Sequence, residues 1–413
     1  MKTTIHSLTF TLLLRLLYAC ATSPDNTKTL HFVSCEGAQL LDTNKAALTL
    51  KGTNLGNWLV PEGYMFKTGQ VNSPRKIDEL LKEMIGPEKT DSFWLAHLEV
   101  YIQKKDIEYL KKIGCNHVRL PFHYKLFTNE PYLGTVDAGF AYTDKLIEWC
   151  KEAGLYVLLD MHCAPGGQTG DNIDDSYGYP YLFTDEAAKK QFVAIWHRIA
   201  EHYKNENTVV GYDLVNEPIA HYFKDDQAFL EKGLIEVYQR AIDTIRSTDT
   251  SHLIFVNGSM WSTNFEVFET PFKDNKIVYE FHKYWMPPVQ KEIQDYVDFR
   301  DEHQVPIYVG ETGENTDEWV MQFRTLLDSN AINWCFWPYK KMNNPKGIMN
   351  FEQPKAYESI VNYAAADRSS YKAIRSNRPD ADSVQTALKG YLHNANLDNC
   401  YPNTGYCKGL GLF

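Results

Sequence analysis

Basic charge is scarce in this chain: 42 Lys and Arg stand against 53 Asp and Glu, for a net charge of −11. A phosphate backbone needs a positive field, so nucleic acid is excluded as a partner, and a neutral substrate fits better than a polyanion. No helical stretch carries a basic face broad enough for anionic lipid. Cysteine is sparse as well, 8 in 413 residues. Neither a Cys-x-x-Cys pair nor a His/Cys cluster has zinc spacing, so no metal is expected. Internal repeats and low-complexity tracts are absent.

Long apolar runs are missing too. The apolar stretches Leu8–Leu14 and Leu16–Cys20, split by Arg15 and preceded by Lys2, are too short to span a bilayer. They read as a signal peptide over residues 1–20, followed by a polar linker over 21–29. Leu17-Tyr18-Ala19-Cys20 is similar to a bacterial lipobox, which would place a lipid on Cys20 as the one link to a membrane. The protein is therefore expected to be exported: periplasmic, on the cell surface as a lipoprotein, or secreted. Among the cysteines, Cys115, Cys150, Cys163 and Cys335 lie in apolar stretches and read as buried thiols. Cys400 and Cys407 flank a turn-rich segment and could close a small disulfide loop, while Cys35 has no evident partner.

What is plentiful is aromatic: 14% of the chain, with 9 Trp and 26 Tyr. Such rings fill cores, and they also stack on the apolar faces of sugars. From residue 48 onward, short apolar runs alternate with stretches of helical periodicity. The strand candidates are 48–55, 116–121, 156–161, 209–215, 253–257, 277–281, 307–310 and 333–337. Helical spacing marks 93–113, 143–153, 187–203, 229–245, 289–300, 318–327 and 355–365, with the crossover between Gly258 and Lys276 the weakest. Eight β units alternating with helices predict an α/β fold, a (β/α)8 TIM barrel over residues 30–375, opened by an N-terminal hairpin. Residues 376–413, with one helical stretch near 384–392, form a C-terminal extension packed on the barrel. A monomer is expected.

In such barrels chemistry gathers where strands run into the βα loops. Those positions hold Trp58 and Glu62 after the first strand, Arg119 at the second and His162 after the third. Asn216 and Glu217 follow the fourth, Trp261 the fifth, His282 and Tyr284 the sixth, Glu311 the seventh and Trp337 the eighth. Two glutamates just past apolar strands suit glycosidic cleavage, which needs one carboxyl to protonate the leaving oxygen and another to attack or stabilise the sugar cation.

Asn216-Glu217-Pro218, Val118-Arg119-Leu120-Pro121, Asp160-Met161-His162 with Ala164-Pro165-Gly166, Phe281-His282-Lys283-Tyr284, Gly310-Glu311 and Phe336-Trp337 carry a resemblance. Over roughly residues 48–366 the chain resembles glycoside hydrolase family 5. The resemblance implies Glu217 as general acid/base, Glu311 as nucleophile held ionised by Arg119 and the Tyr284 hydroxyl, and Asn216 as partner of the sugar 2-hydroxyl. It makes His162 and His282 hydroxyl ligands or tuners and Trp337 a platform under the ring, with no cofactor or metal. The run Asn54-Leu55-Gly56-Asn57-Trp58-Leu59-Val60-Pro61-Glu62 is similar to the exo-acting β-1,3-glucanase branch, where a glutamate placed like Glu62 holds the terminal glucose. In this chain Asn57 stands where that branch has glycine, and Pro338-Tyr339 interrupts its strand-8 signature. The expectation is a retaining β-glycoside hydrolase acting on β-glucosidic linkages of an oligo- or polysaccharide, exo-acting. Endo-β-1,4-glucanase or β-mannanase activity is the alternative within the family, and a non-catalytic carbohydrate-binding barrel the alternative outside it.

Overall fold

The computed structural model describes residues 30–413; the expected signal peptide, Cys20 and the linker lie outside the described residues. Eight parallel strands close into a barrel: β1 (Lys51–Asn54), β2 (His117–His123), β3 (Tyr156–Cys163), β4 (Val209–Asp213), β5 (Leu253–Asn257), β6 (Ile277–Tyr284), β7 (Ile307–Gly313) and β8 (Asn333–Phe336). The sequence-predicted strands lie at these positions, shifted at their ends by a few residues. Closure comes from β8, which pairs with β7 on one side and β1 on the other.

Two cores hold the barrel. Inside its lower end, Leu50, Tyr156, Leu158, Val210, Leu253, Phe255, Val278, Tyr308 and Cys335 pack together. The hairpin Ser34–Glu36/Gln39–Leu41 plugs that end, inserting Val33 and Leu40 into the same cluster. The outer core packs the helices against the strands, and burying such apolar surface, at about 25 cal/mol per Å², is what makes the ring rigid enough to hold a site. Among the described residues no helix is long and apolar enough to cross a membrane.

Several expectations are corrected. The periodic stretch 93–113 is two helices, Pro87–Val100 and Lys104–Ile113, because Gln103 starts the second with its N–H donating to Asp106. A further helix, Pro74–Ile85, precedes them, with Pro74 at its first turn. After β5 the chain makes only the short turn Ser259–Ser262, so the weakest crossover is indeed irregular. The 375/376 boundary falls inside the helix Tyr371–Asn377. Helix Ala381–Ala395 of the extension buries Val384, Ala387, Leu388 and Tyr391 in the outer core. Cys400 and Cys407 are both free thiols: Cys400 Sγ faces the carbonyls at the end of that helix, and Cys407 Sγ faces the Ile348 carbonyl.

Candidate active site

Arg119 is the hub at the top of the barrel. Its buried guanidinium donates through Nε to Asp213 Oδ2 at 2.8 Å and through Nη1 to Asn54 Oδ1 at 3.0 Å and Glu311 Oε1 at 2.8 Å. Nη2 donates to Asn216 Oδ1 at 2.8 Å, Asp160 Oδ2 lies 3.0 Å from Nη1, and Glu280 Oε1 lies 3.5 Å from Nη2. Burial opposes the Arg119 charge, yet the surrounding carboxylates hold its proton more tightly than usual. Burial pushes Asp160 and Asp213 up to about 7 against the pull of Arg119, and Glu280 well above the carboxylate range. One cation thus serves a cluster of acids that share protons as well as charge.

Glu311 stands in β7 at a register break between Val309 and Glu311. Gly310 is required there: a Cβ on it would sit 1.5 Å from Glu280 Oε1. The Tyr284 hydroxyl donates to Glu311 Oε2 at 3.0 Å. Glu217 has different company. Its Oε1 is 2.8 Å from His282 Nδ1, and His282 Nε2 is 3.1 Å from Glu280 Oε1. Burial and Arg119 keep the His282 ring neutral, holding its pKa well below the usual value. Burial, then the Glu311 charge, raise Glu217 well above the carboxylate range. Burial raises Glu311 too, but Arg119 and His162 pull it down. Carboxylate oxygens of the two glutamates lie within 4.8 Å of each other.

The loop after β3 clamps the loop that carries Glu217. Glu217 takes a left-handed backbone, φ 45°, which costs a residue with a side chain about 1 kcal/mol. Thr169 Oγ1 donates to the Glu217 carbonyl at 2.7 Å, and Ile219 N and Ala220 N donate to the carbonyls of Gln168 and Thr169. Gln168 Nε2 bridges the carbonyls of His162 and Asn216. The clamp is itself tied down by Asp174, whose buried carboxylate accepts from the N–H groups of Thr169, Gly170 and Ser176. Asp174 therefore has a structural task, and the acidic run 171–176 is a braced rim rather than an ion loop.

These residues line a cleft of about 650 Å³. Trp337 walls one side, its indole stacked on His162 (5.5 Å, 8° between planes) and donating to Tyr64 Oη at 2.6 Å. Gly56 lies beneath it, where a Cβ would meet the ring at 2.6 Å. Glu62 also lines the cleft, buried, with Oε1 lacking a hydrogen-bond partner and its pKa raised well above normal by burial. Trp261, Trp285 and Met286 line the cleft as well. Two triads, Asp160–His162–Glu311 and Glu217–His282–Glu311, bring ligand-type atoms together. The cation that Asp160 and Glu311 meet is Arg119.

Of the sequence-predicted site residues, Glu62, Arg119, His162, Asn216, Glu217, His282, Tyr284, Glu311 and Trp337 come together here. Trp58 does not. Asn57 has φ 65°, which turns the chain so that the Trp58 ring packs in the outer core, its Nε1 donating to the Leu98 carbonyl at 2.8 Å. Lys340, also at a strand end, is buried against Asp106 at 2.8 Å and away from the cleft.

The model of the cellulase family (glycosyl hydrolase family 5) matches residues 82–343, more than half of the chain. The chain belongs to glycoside hydrolase family 5. Its similarity to individual members is low. A β-xylosidase of Phanerodontia chrysosporium is 28% identical over 256 residues, 61% of this chain and 52% of that protein, so the chain spans about half of its length. Endoglucanase C of Acetivibrio thermocellus is 25% identical over 335 residues, 66% of this chain and 93% of that protein. A glucan 1,3-β-glucosidase of Candida oleophila is 32% identical over 217 residues, 48% of each chain. Among solved structures, an endogalactoceramidase shares the fold with a TM-score of 0.61 at 18% identity, covering 92% of this chain and 84% of that one. The rutinosidase from Aspergillus niger does so at 0.58 and 18%, covering 71% and 90%.

The family 5 site also holds residues that the sequence reading passed over. Asp160 and Glu280 lie two positions before His162 and His282, so strand alternation puts each pair on one face. That period was the available signal. Tyr64 and Glu314 come from loops beyond any strand end and carried no such mark.

Proposed function

We propose that this protein is a retaining β-glycoside hydrolase acting on β-glucosidic linkages, with Glu217 as acid/base and Glu311 as nucleophile. The observation that carries the proposal is the pair itself: two carboxylates within 4.8 Å, one beside a cation and the other beside a neutral imidazole. Retaining enzymes hold their carboxyls about 5–5.5 Å apart, whereas inverting ones leave room for a water between them. Glu311 attacks the anomeric carbon while Glu217 gives its proton to the departing oxygen; Glu217 then takes a proton from the water that releases the sugar. Asn216, fixed by Arg119, is placed for the 2-hydroxyl, and Trp337 for the face of the ring.

A glucose glycone and exo action are supported by Glu62, a buried carboxyl with a free oxygen facing the cleft. The glucan 1,3-β-glucosidase relatives support the same choice. A second reading, endo-cleavage of β-1,4-glucan or mannan, is favoured by the endoglucanase that aligns over 93% of its length. We further propose export through residues 1–20, with Cys20 as a lipid site.

The test is a screen of aryl β-glycosides and of β-1,3- and β-1,4-linked oligosaccharides, with products separated. Monosaccharide alone supports exo action, and a ladder supports endo. Full activity of Glu311→Gln on any glycoside that the parent accepts would sink the mechanism.

A further inference from the structure

The cleft has two unlike walls, and they follow the order of strands round the barrel. Loops after β1, β3, β7 and β8 supply Glu62, Tyr64, His162, Glu314 and Trp337. Loops after β5 and β6 supply Trp261, Trp285 and Met286. The first wall is dense in hydrogen-bonding groups; the second shows two indoles and a thioether. Glu217 belongs with the second, since Trp261 N donates to the carbonyl of Ile219 in the Glu217 loop. If Glu217 is the acid, as proposed above, whatever leaves with the protonated oxygen lies against Trp261 and Trp285.

The backbone of this wall is unusual. Met260, Trp261 and Ser262 have φ of 53°, 60° and 59°, three consecutive residues with side chains in the left-handed region, and Trp285 has φ 57°. Such runs are disfavoured for L-residues, and strained positions cluster at functional sites. The turn is held by the Ser262 hydroxyl, which donates to Asn257 Oδ1 at 2.6 Å. Trp285 is left 71% exposed at the mouth. Polar groups nearby are turned elsewhere: the Thr263 hydroxyl donates to the Met260 carbonyl at 2.6 Å, and the Lys283 ammonium lies 5.4 Å over the Tyr296 ring. A second sugar would stack here but find few partners for its hydroxyls, and unpaired polar groups are costly to bury.

We propose that this wall is a subsite for an apolar aglycone, an alkyl chain or aromatic ring carried on the oxygen that Glu217 protonates, in preference to a second sugar. Methyl, butyl and octyl β-glucosides share a glycone and have leaving groups of similar acidity, so their kcat/KM ratios read aglycone binding. A fully buried methylene corresponds to ~4-fold in affinity, so the octyl compound is expected to exceed the methyl one by about tenfold or more. It is also expected to exceed cellobiose and laminaribiose. Trp261→Ala and Trp285→Ala should each cut the octyl-to-methyl ratio by about threefold or more. Benzyl β-glucoside tells a ring from a chain, and either supports the proposal. A flat ratio in the parent, a ratio unchanged in both variants, or disaccharides as the better substrates overturns it. If the parent cleaves none of these glucosides, the hydrolase reading fails instead. Calorimetric binding of octyl 1-thio-β-glucoside then decides the subsite: binding weakened by the two variants sustains it, and no binding overturns it.

Discussion

Arg119 Nη1 donates to Glu311 Oε1 at 2.8 Å, whereas the group 2.8 Å from Glu217 Oε1 is the imidazole of His282. A permanent cation beside one glutamate and a neutral ring beside the other separate their protons at a single pH. That difference, rather than proximity alone, divides the work between them.

The first consequence is a bell-shaped pH profile of kcat/KM. Glu311 must be ionised, so activity rises as pH passes upward through its pKa; Glu217 must be protonated, so activity falls as pH passes upward through its own. Both are raised by burial, Glu217 the more, so both limbs should lie above the ordinary carboxylate range. Arg119→Lys removes the fork. A charge-assisted hydrogen bond is worth about 1.5–3 kcal/mol and a pKa unit about 1.4, so the acid limb should move up by about one unit or more. An acid limb that stays in place would separate Arg119 from the state of Glu311.

Removing the acid should hurt most where acid help matters most. Glu217→Ala is expected to lower kcat/KM by about 10²–10⁴ on glycosides with poor leaving groups. On a dinitrophenyl glycoside the loss should be far smaller. Equal losses on both would mean that Glu217 does not donate the proton.

Thr169 offers a subtler form of the same measurement. Its hydroxyl holds the Glu217 carbonyl at 2.7 Å, and Thr169→Val removes that bond at a cost of about 1 kcal/mol. If the clamp positions the acid, turnover of poor leaving groups falls while the dinitrophenyl rate is spared. A merely structural threonine would lower both together.

The acid cluster also predicts how stability varies with pH. Asp160 and Asp213 hold protons in the fold up to about 7, well above their unfolded range. A raised carboxyl pKa means that the folded state binds the proton more tightly, so stability falls as pH rises from about 4 through 7. Thermal midpoints should therefore be higher at pH 5 than at pH 7.5, and Asp213→Asn should shrink the difference. A midpoint that rises over this window would contradict the assignment.

The barrel was legible because its strands are apolar runs separated by helical periodicity, and β5 was read to the residue. The reacting pair was legible because strand ends are where such folds keep their chemistry. What stayed hidden was direction and depth. A strand end tells where a residue sits and not which way it points: Trp58 follows the positive φ of Asn57 into the outer core, and only coordinates show that turn. Asp160, Asp213 and Glu280 lie inside their strands, where apolar neighbours mask them, and their meaning comes from Arg119 reaching across from β2. Cys400 and Cys407 have a loop-like spacing, but the intervening chain carries them to different carbonyls.

The most direct test of the central claim is to trap the glycosyl-enzyme. Incubation with 2-deoxy-2-fluoro-β-glucosyl fluoride slows release of the sugar more than its attachment, and peptide mass spectrometry then locates the adduct. A single fluoroglucosyl group on Glu311 is the predicted result. An adduct on Glu217 or any other residue, or turnover of the reagent to the α-sugar with no adduct, would contradict it.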